Sequence, residues 1–206
     1  MPPATTHDLS PPVGIGPADE ADERARLVAA LRAQDPAVAR PLWDRFAPRT
    51  FRVLRRTLGP GARIDDAVQV VFLCVFHRGR QLRPGADLGR FVLKVTARVA
   101  KAELRRSTLR RVLPIPGSRA ARARARDSSK SEHEASKRFY RILDRLSAVD
   151  RIAFVFHHVE HIDVRVVAVA TGGTVAETRR RLRRALRQVF DGIERDPILR
   201  ALRDPS

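Results

Sequence analysis

The residues with the clearest chemical potential lie near the C-terminus. Thr174-x-x-Glu177 is a full capping box that opens a long helix, and Gly172-Gly173 stands just before it. Within that helix, Val175, Thr178, Leu182, Ala185, Leu186 and Val189 recur at helical spacing and make a face for packing. Arg179, Arg180, Arg183, Arg184 and Arg187 fall mainly on the other faces. Guanidinium forks suit guanine O6 and N7 in the major groove, while Thr174 and the helix N-terminus suit a phosphate. A short helix over 164–171, capped by Asp163, precedes the glycines, so the segment has the form of a helix-turn-helix. The competing reading is a solvated arginine face on an ordinary amphipathic helix. Turn, cap and arginines coincide here, and that favours DNA binding.

Other reactive side chains point to no chemistry. His157 and His161 are four residues apart, a spacing that two ligands on one helix face would need, but no cysteine or obvious third ligand accompanies them. They read as imidazoles at a helix end, meeting terminal carbonyls. Cys74, among Phe72, Val75 and Phe76, reads as a buried core thiol, and as the only cysteine it forms no intrachain disulfide. Neither a Gly-rich phosphate loop nor a Ser/His/Asp arrangement or paired carboxylate motif stands out. The sequence therefore predicts a non-enzymatic protein with no metal or cofactor.

The elements that must position these residues are helical. The 206-residue chain is 43% hydrophobic but only 5% aromatic, and Ala, Leu and Arg are good helix formers, so an all-α fold follows. A net charge of +18 favours polyanions. No apolar run approaches the roughly 20 residues a membrane span needs, the N-terminus lacks a secretory pattern, and the expected location is cytoplasmic, with no membrane insertion.

Five prolines within residues 1–18 predict a disordered tail. A first helical domain is expected over 19–112, with helices near 19–33, 36–58, 63–79 and 87–112, the second capped at Asp35 with Pro36 at its first position and carrying a kink point at Pro48. Residues 105–126 hold eight arginines and no acidic residue, and 113–131 read as a flexible basic linker. A second domain is expected over 132–195, its helices opened by Ser131-x-x-Glu134, Ser147-x-x-Asp150, Asp163 and Thr174, with a C-terminal tail over 196–206.

Two stretches together resemble the extracytoplasmic-function (ECF) sigma factors of the sigma-70 family. One is Asp65-Asp66-Ala67-Val68-Gln69-Val70-Val71-Phe72-Leu73; the other runs from Leu146-Ser147-Ala148-Val149-Asp150-Arg151 through Val159-Glu160 and Val167-Ala168 to the arginine helix. Between them, Phe91-Val92-Leu93-Lys94 and Ala100-Lys101-Ala102-Glu103-Leu104-Arg105-Arg106 are similar to the family's promoter-reading helix. The resemblance implies two small helical domains and promoter-specific initiation with core RNA polymerase. It places Asp66 and Gln69 on the polymerase, and Lys94, Lys101, Arg105 and Arg106 at the downstream promoter element, with Arg98 a further DNA-binding candidate on the same helix. Arg179, Arg180, Arg183, Arg184 and Arg187 would then read the upstream element, and an anti-sigma factor is an optional further partner.

Three departures carry expectations of their own. Val70 removes an acidic charge usual after the glutamine, and Arg98 replaces a frequent asparagine near the flipped base. Thr171 and Thr178 put hydroxyls at usually apolar positions, which predicts a looser turn if they are unpaired, at a cost of about 1–3 kcal/mol each. These departures leave open a sigma-like regulator without productive polymerase contact. The arginine run leaves open a basic nucleoid or RNA-binding protein, marked by steep salt dependence and little sequence preference.

Overall fold

The computed structural model describes residues 17–60, 62–112 and 130–203. The expected tail lies outside the described residues except for 17 and 18, and the expected linker except for 130 and 131. Helix α1 spans Pro17–Ala33. At Asp35 the side chain accepts a hydrogen bond from the Ala37 N–H (2.9 Å) and opens a short 3-10 turn, Pro36–Val38, that runs into α2, Ala39–Leu58. Helix α2 passes through Pro48 without a break in the assigned helix and ends at Gly59, whose φ of 85° is costly for any residue with a Cβ. Helix α3, Ile64–Gly79, starts with Asp65 and Asp66 at the positive end of its dipole, and α4 spans Leu88–Val112.

The C-terminal group starts with α5, Lys130–Leu143, one residue ahead of the Ser131 expected to cap it. Ser147 caps α6, Ala148–Phe154, its hydroxyl accepting from the Asp150 N–H (3.1 Å). The chain then widens into a π-helical segment, Val155–Val159. Helix α7, Val164–Thr171, and α8, Val175–Glu194, follow, each beginning at its expected cap. Residues 197–203, expected to be tail, form α9, Pro197–Arg203. Asp196 caps it by accepting from the Ile198 and Leu199 N–H groups, the same Asp-Pro start seen at Asp35-Pro36. The described residues contain no strand, and the fold is all-α.

Packing departs from two separately cored domains. One apolar cluster contains Leu31, Leu42, Leu54, Val71, Val75 and Val92 of the N-terminal group together with Ile152, Phe156, Ile162, Val167 and Leu182 of the C-terminal group. A second, smaller cluster joins α5, α6 and α8 through Ile142, Leu143, Phe154, Ala185 and Val189. Helix α7 packs on both α4 and α8. Helical periodicity shows that α6 and α7 bury a stripe but is silent on which neighbour receives it, so the shared core was not legible from spacing.

Candidate nucleic-acid interface

The α7–α8 corner is built by local hydrogen bonding. Gly172 takes the left-handed conformation (φ 76°) that closes α7, and its N–H donates to the Ala168 carbonyl. The capping box at the start of α8 is complete: the Thr174 N–H donates to Glu177 Oε2 (2.9 Å) and the Glu177 N–H donates to Thr174 Oγ1 (3.2 Å). Donation to the Glu177 carboxylate from the Thr174 N–H, and from the Thr174 hydroxyl at 3.1 Å, holds that carboxyl below the usual carboxylate range. Both polar groups of Thr174 that a phosphate would use are thus already engaged.

The expected loosening by Thr171 and Thr178 does not occur. Thr171 Oγ1 donates to the Val167 carbonyl (2.8 Å), and the fully buried Thr178 donates to the Thr174 carbonyl (2.9 Å). A hydroxyl one turn from a carbonyl on its own helix is satisfied without any tertiary partner, so the penalty for an unpaired buried group does not arise.

Among the arginines of α8, Arg179, Arg180, Arg183 and Arg187 are exposed and enter no ion pair among the described residues. Arg184 differs. Its Nη2 donates to both carboxylate oxygens of the buried Asp150 (3.0 and 2.8 Å), tying α8 to the start of α6. On α4, Lys94, Arg98, Lys101 and Arg105 fall at i, i+4, i+7 and i+11 and share one stripe. All but the half-buried Lys101 are exposed, and Arg106, on the flank, pairs with Glu103 (2.5 Å). This stripe and the arginines of α8 stand on different helices, both of which pack on α7.

A different surface lies on α2 and α3. Asp66, paired with Arg63 (2.5 Å), and Gln69 are exposed beside Val70 and Leu73, the latter 70% exposed. Trp43, half exposed, lies against Phe72 with ring centroids 4.9 Å apart. A groove of about 580 Å³ runs from Trp43 and Phe51 to Asp65, Val68 and Gln69. Exposed apolar residues edged by acidic ones suit a protein partner better than a polyanion.

Residues 42–110 match the family model described as Sigma-70 region 2. This segment is therefore similar to region 2 of the sigma-70 family. Region 2 thus covers α2, α3 and most of α4, the helices that carry both the apolar groove and the α4 stripe. The fold is similar to that of CnrH in its structure with the cytosolic domain of CnrY, at a TM-score of 0.59 and 17% identity over 84% of this chain and 97% of that one. No curated protein matches the sequence. No described helix is long and apolar enough to cross a membrane.

His157 Nδ1 lies 2.9 Å from the Ile162 carbonyl, and no group of three or more His, Cys, Asp or Glu among the described residues is arranged to hold a metal. Burial, with His157 and His161 nearby, pushes the His158 imidazole below its usual range. Cys74 is partly buried against the core. Sequence reasoning gave no role to Glu160 or Arg151 beyond their place in the motif. Both reach across to α2, and nothing in their spacing signals a partner about a hundred residues away.

Proposed function

We propose that this chain is an initiation subunit of the sigma-70 family, of the ECF type, cytoplasmic and without enzymatic activity, that binds core RNA polymerase and gives it promoter specificity. The observation that carries this reading is the division of surfaces on region 2. An apolar groove edged by Asp65 and Gln69, with Asp66 exposed beside Asp65, lies on α2 and α3, and a basic stripe on α4 supplies a nucleic-acid face. A protein that only coated DNA would have no use for the first.

In this reading Asp66 and Gln69 contact the polymerase, with Leu73 adding apolar area. Lys94, Arg98, Lys101, Arg105 and Arg106 meet the downstream promoter element. Arg179, Arg180, Arg183 and Arg187 read the upstream element from α8 as a helix-turn-helix, and Thr174 starts that helix. The Asp150 contact favours a positioning part for Arg184. CnrH was solved with a polypeptide bound, and an anti-sigma factor is a fitting partner for this chain too.

Core-enzyme binding by analytical gel filtration or fluorescence titration tests the assignment. Asp66→Ala combined with Gln69→Ala should weaken binding at least tenfold, the scale of an interface hot spot. Unchanged affinity in the folded double variant would remove this surface from the reading.

A further inference from the structure

Between α2, α4 and the start of α7 lies a crevice of about 390 Å³, within the ordinary range for small-molecule sites. Its apolar lining includes Phe46 of α2, Val92 and Leu93 of α4, and Ile162 and Val166 at the start of α7. The polar lining is unevenly satisfied. Asp87 is taken up by Arg90: its Oδ1 accepts from the Arg90 N–H (3.0 Å) and its Oδ2 pairs with Arg90 Nε (3.0 Å). Asp163 accepts from the Arg165 N–H (2.7 Å) as the cap of α7. Arg49, exposed, has no carboxylate partner among the described residues. Thr50 beside it is only 3% exposed, and its hydroxyl meets no hydrogen-bond partner among the described residues. The other buried threonines, Thr57, Thr96 and Thr178, each donate to the carbonyl four residues back. A buried hydroxyl without a partner is costly, so one that lines a crevice marks a place for a bound group.

We infer that this crevice is a binding site for a small organic monoanion, a carboxylate on an aromatic or branched apolar body, with Arg49 and Thr50 as its carboxylate partners. A guanidinium fork matches a carboxylate through two parallel bonds, and the hydroxyl supplies a further donor. Charge selects the monoanion: one guanidinium lacks a counter-charge, whereas Asp87 and Asp163 in the same lining repel a second negative charge. The apolar side chains take the body of the ligand. The chain reaches this lining from the π-helical segment and through His161, whose φ of 52° is left-handed, and departures of this kind gather at ligand sites. Neither Arg49 nor Thr50 takes part in the polymerase or promoter contacts proposed above, so the site stands or falls independently of them.

The probe is para-fluorophenylacetate, followed by fluorine NMR with the full chain and compared with its neutral amide and with para-fluorobenzyl phosphate. The carboxylate should broaden with a dissociation constant at or below about 1 mM, ordinary for an anion of this size, and show nuclear Overhauser contacts to the methyls of Val92 and Ile162. The amide, which lacks the charge, and the phosphate, which adds a second one, should bind there about tenfold more weakly. Arg49→Glu should weaken the carboxylate about tenfold or more, and Thr50→Val several-fold. Arg55→Glu, an equal change of charge at another exposed position of α2, should leave affinity within about twofold. If Arg49→Glu loses its helical circular dichroism, Arg49→Gln replaces it, with the same direction expected. No broadening at about 1 mM, or equal binding of carboxylate and amide, would overturn the site. So would equal losses in Arg49→Glu and Arg55→Glu, which would show a response to the net charge of +18 and not to the crevice. Tighter binding of the phosphate would overturn the assignment to a monoanion.

Discussion

The N-terminal and C-terminal helical groups solve different problems with the same kind of element. The N-terminal group leaves apolar surface in solvent at Trp43, Phe51, Val70 and Leu73, and its first α3 turn is acidic. The C-terminal group buries Ile152, Phe154, Val155 and Phe156, leaves Val169, Phe190, Ile198 and Leu202 exposed on other helices, and sets arginine outside on α8. It also fixes its helices with caps and charge: Ser147, Asp163, Thr174 with Glu177, and Arg184 with Asp150. Under the proposed function, the contrast teaches that one chain can suit a protein and DNA by the side chains each helix leaves uncovered, while the architecture stays all-helical.

The largest expected effect falls where the two groups meet. Arg151→Ala leaves the α2 carbonyls of Thr57 and Leu58, and Asp144, without their buried partner and should cost about 3–5 kcal/mol in a denaturant titration, as for other broken buried pairs. A loss under about 1 kcal/mol would mean that the groups are joined by their shared apolar core alone.

The next break separates arginines that read from arginines that hold. Each of Arg179→Ala, Arg183→Ala and Arg187→Ala should weaken upstream-element binding by about 1–3 kcal/mol where it removes a base contact, or lower the salt slope by about one where it removes a phosphate contact. Arg184→Ala should instead lower the unfolding temperature, because it strands the buried Asp150. An Arg184→Ala variant with unchanged melting and relaxed sequence preference would reverse that assignment.

How much of this was legible in the sequence follows from the range of the forces. Caps at Asp35, Ser147, Asp163 and Thr174 are local, acting over two or three residues, so spacing alone located them. The breaks at Gly59 and Gly172 were visible for the same reason. The threonine hydroxyls at 171 and 178 were misjudged because helix interiors offer them a carbonyl four residues back, a partner present in any sequence. Helix α9 was missed although Asp196-Pro197 repeats the Asp35-Pro36 signal, since too few apolar residues follow it to show a period. The contacts to α2 were invisible because Arg151 and Glu160 act at long range, and Arg184 looked like its neighbours until Asp150 was placed beneath it.

Smaller effects sharpen the same contrast. Thr174→Ala should cost about 1 kcal/mol of stability, read by thermal unfolding, and should weaken DNA binding by misplacing the start of α8 rather than by losing a phosphate contact. The smallest concerns pH. His158 Nε2 is buried without a hydrogen-bond partner, and its folded pKa is lowered by burial and by His157 and His161. The unfolded chain therefore takes up the proton first, so stability is full above the ordinary imidazole value of 6.5 and declines as pH falls through it toward the lower folded value. Melting temperatures between pH 7.5 and 5 should show this decline, and His158→Gln should flatten it.

The most direct measurement is in vitro transcription with purified core RNA polymerase and fragmented DNA from the source genome. Discrete transcripts should appear that depend on this protein, share upstream and downstream boxes, and disappear with Asp66→Ala and Gln69→Ala. Sequence-selective DNA retention by the protein alone, with no dependent transcripts, would contradict the proposed function and leave a sigma-like regulator in which Val70 and Arg98 are the first residues to revert.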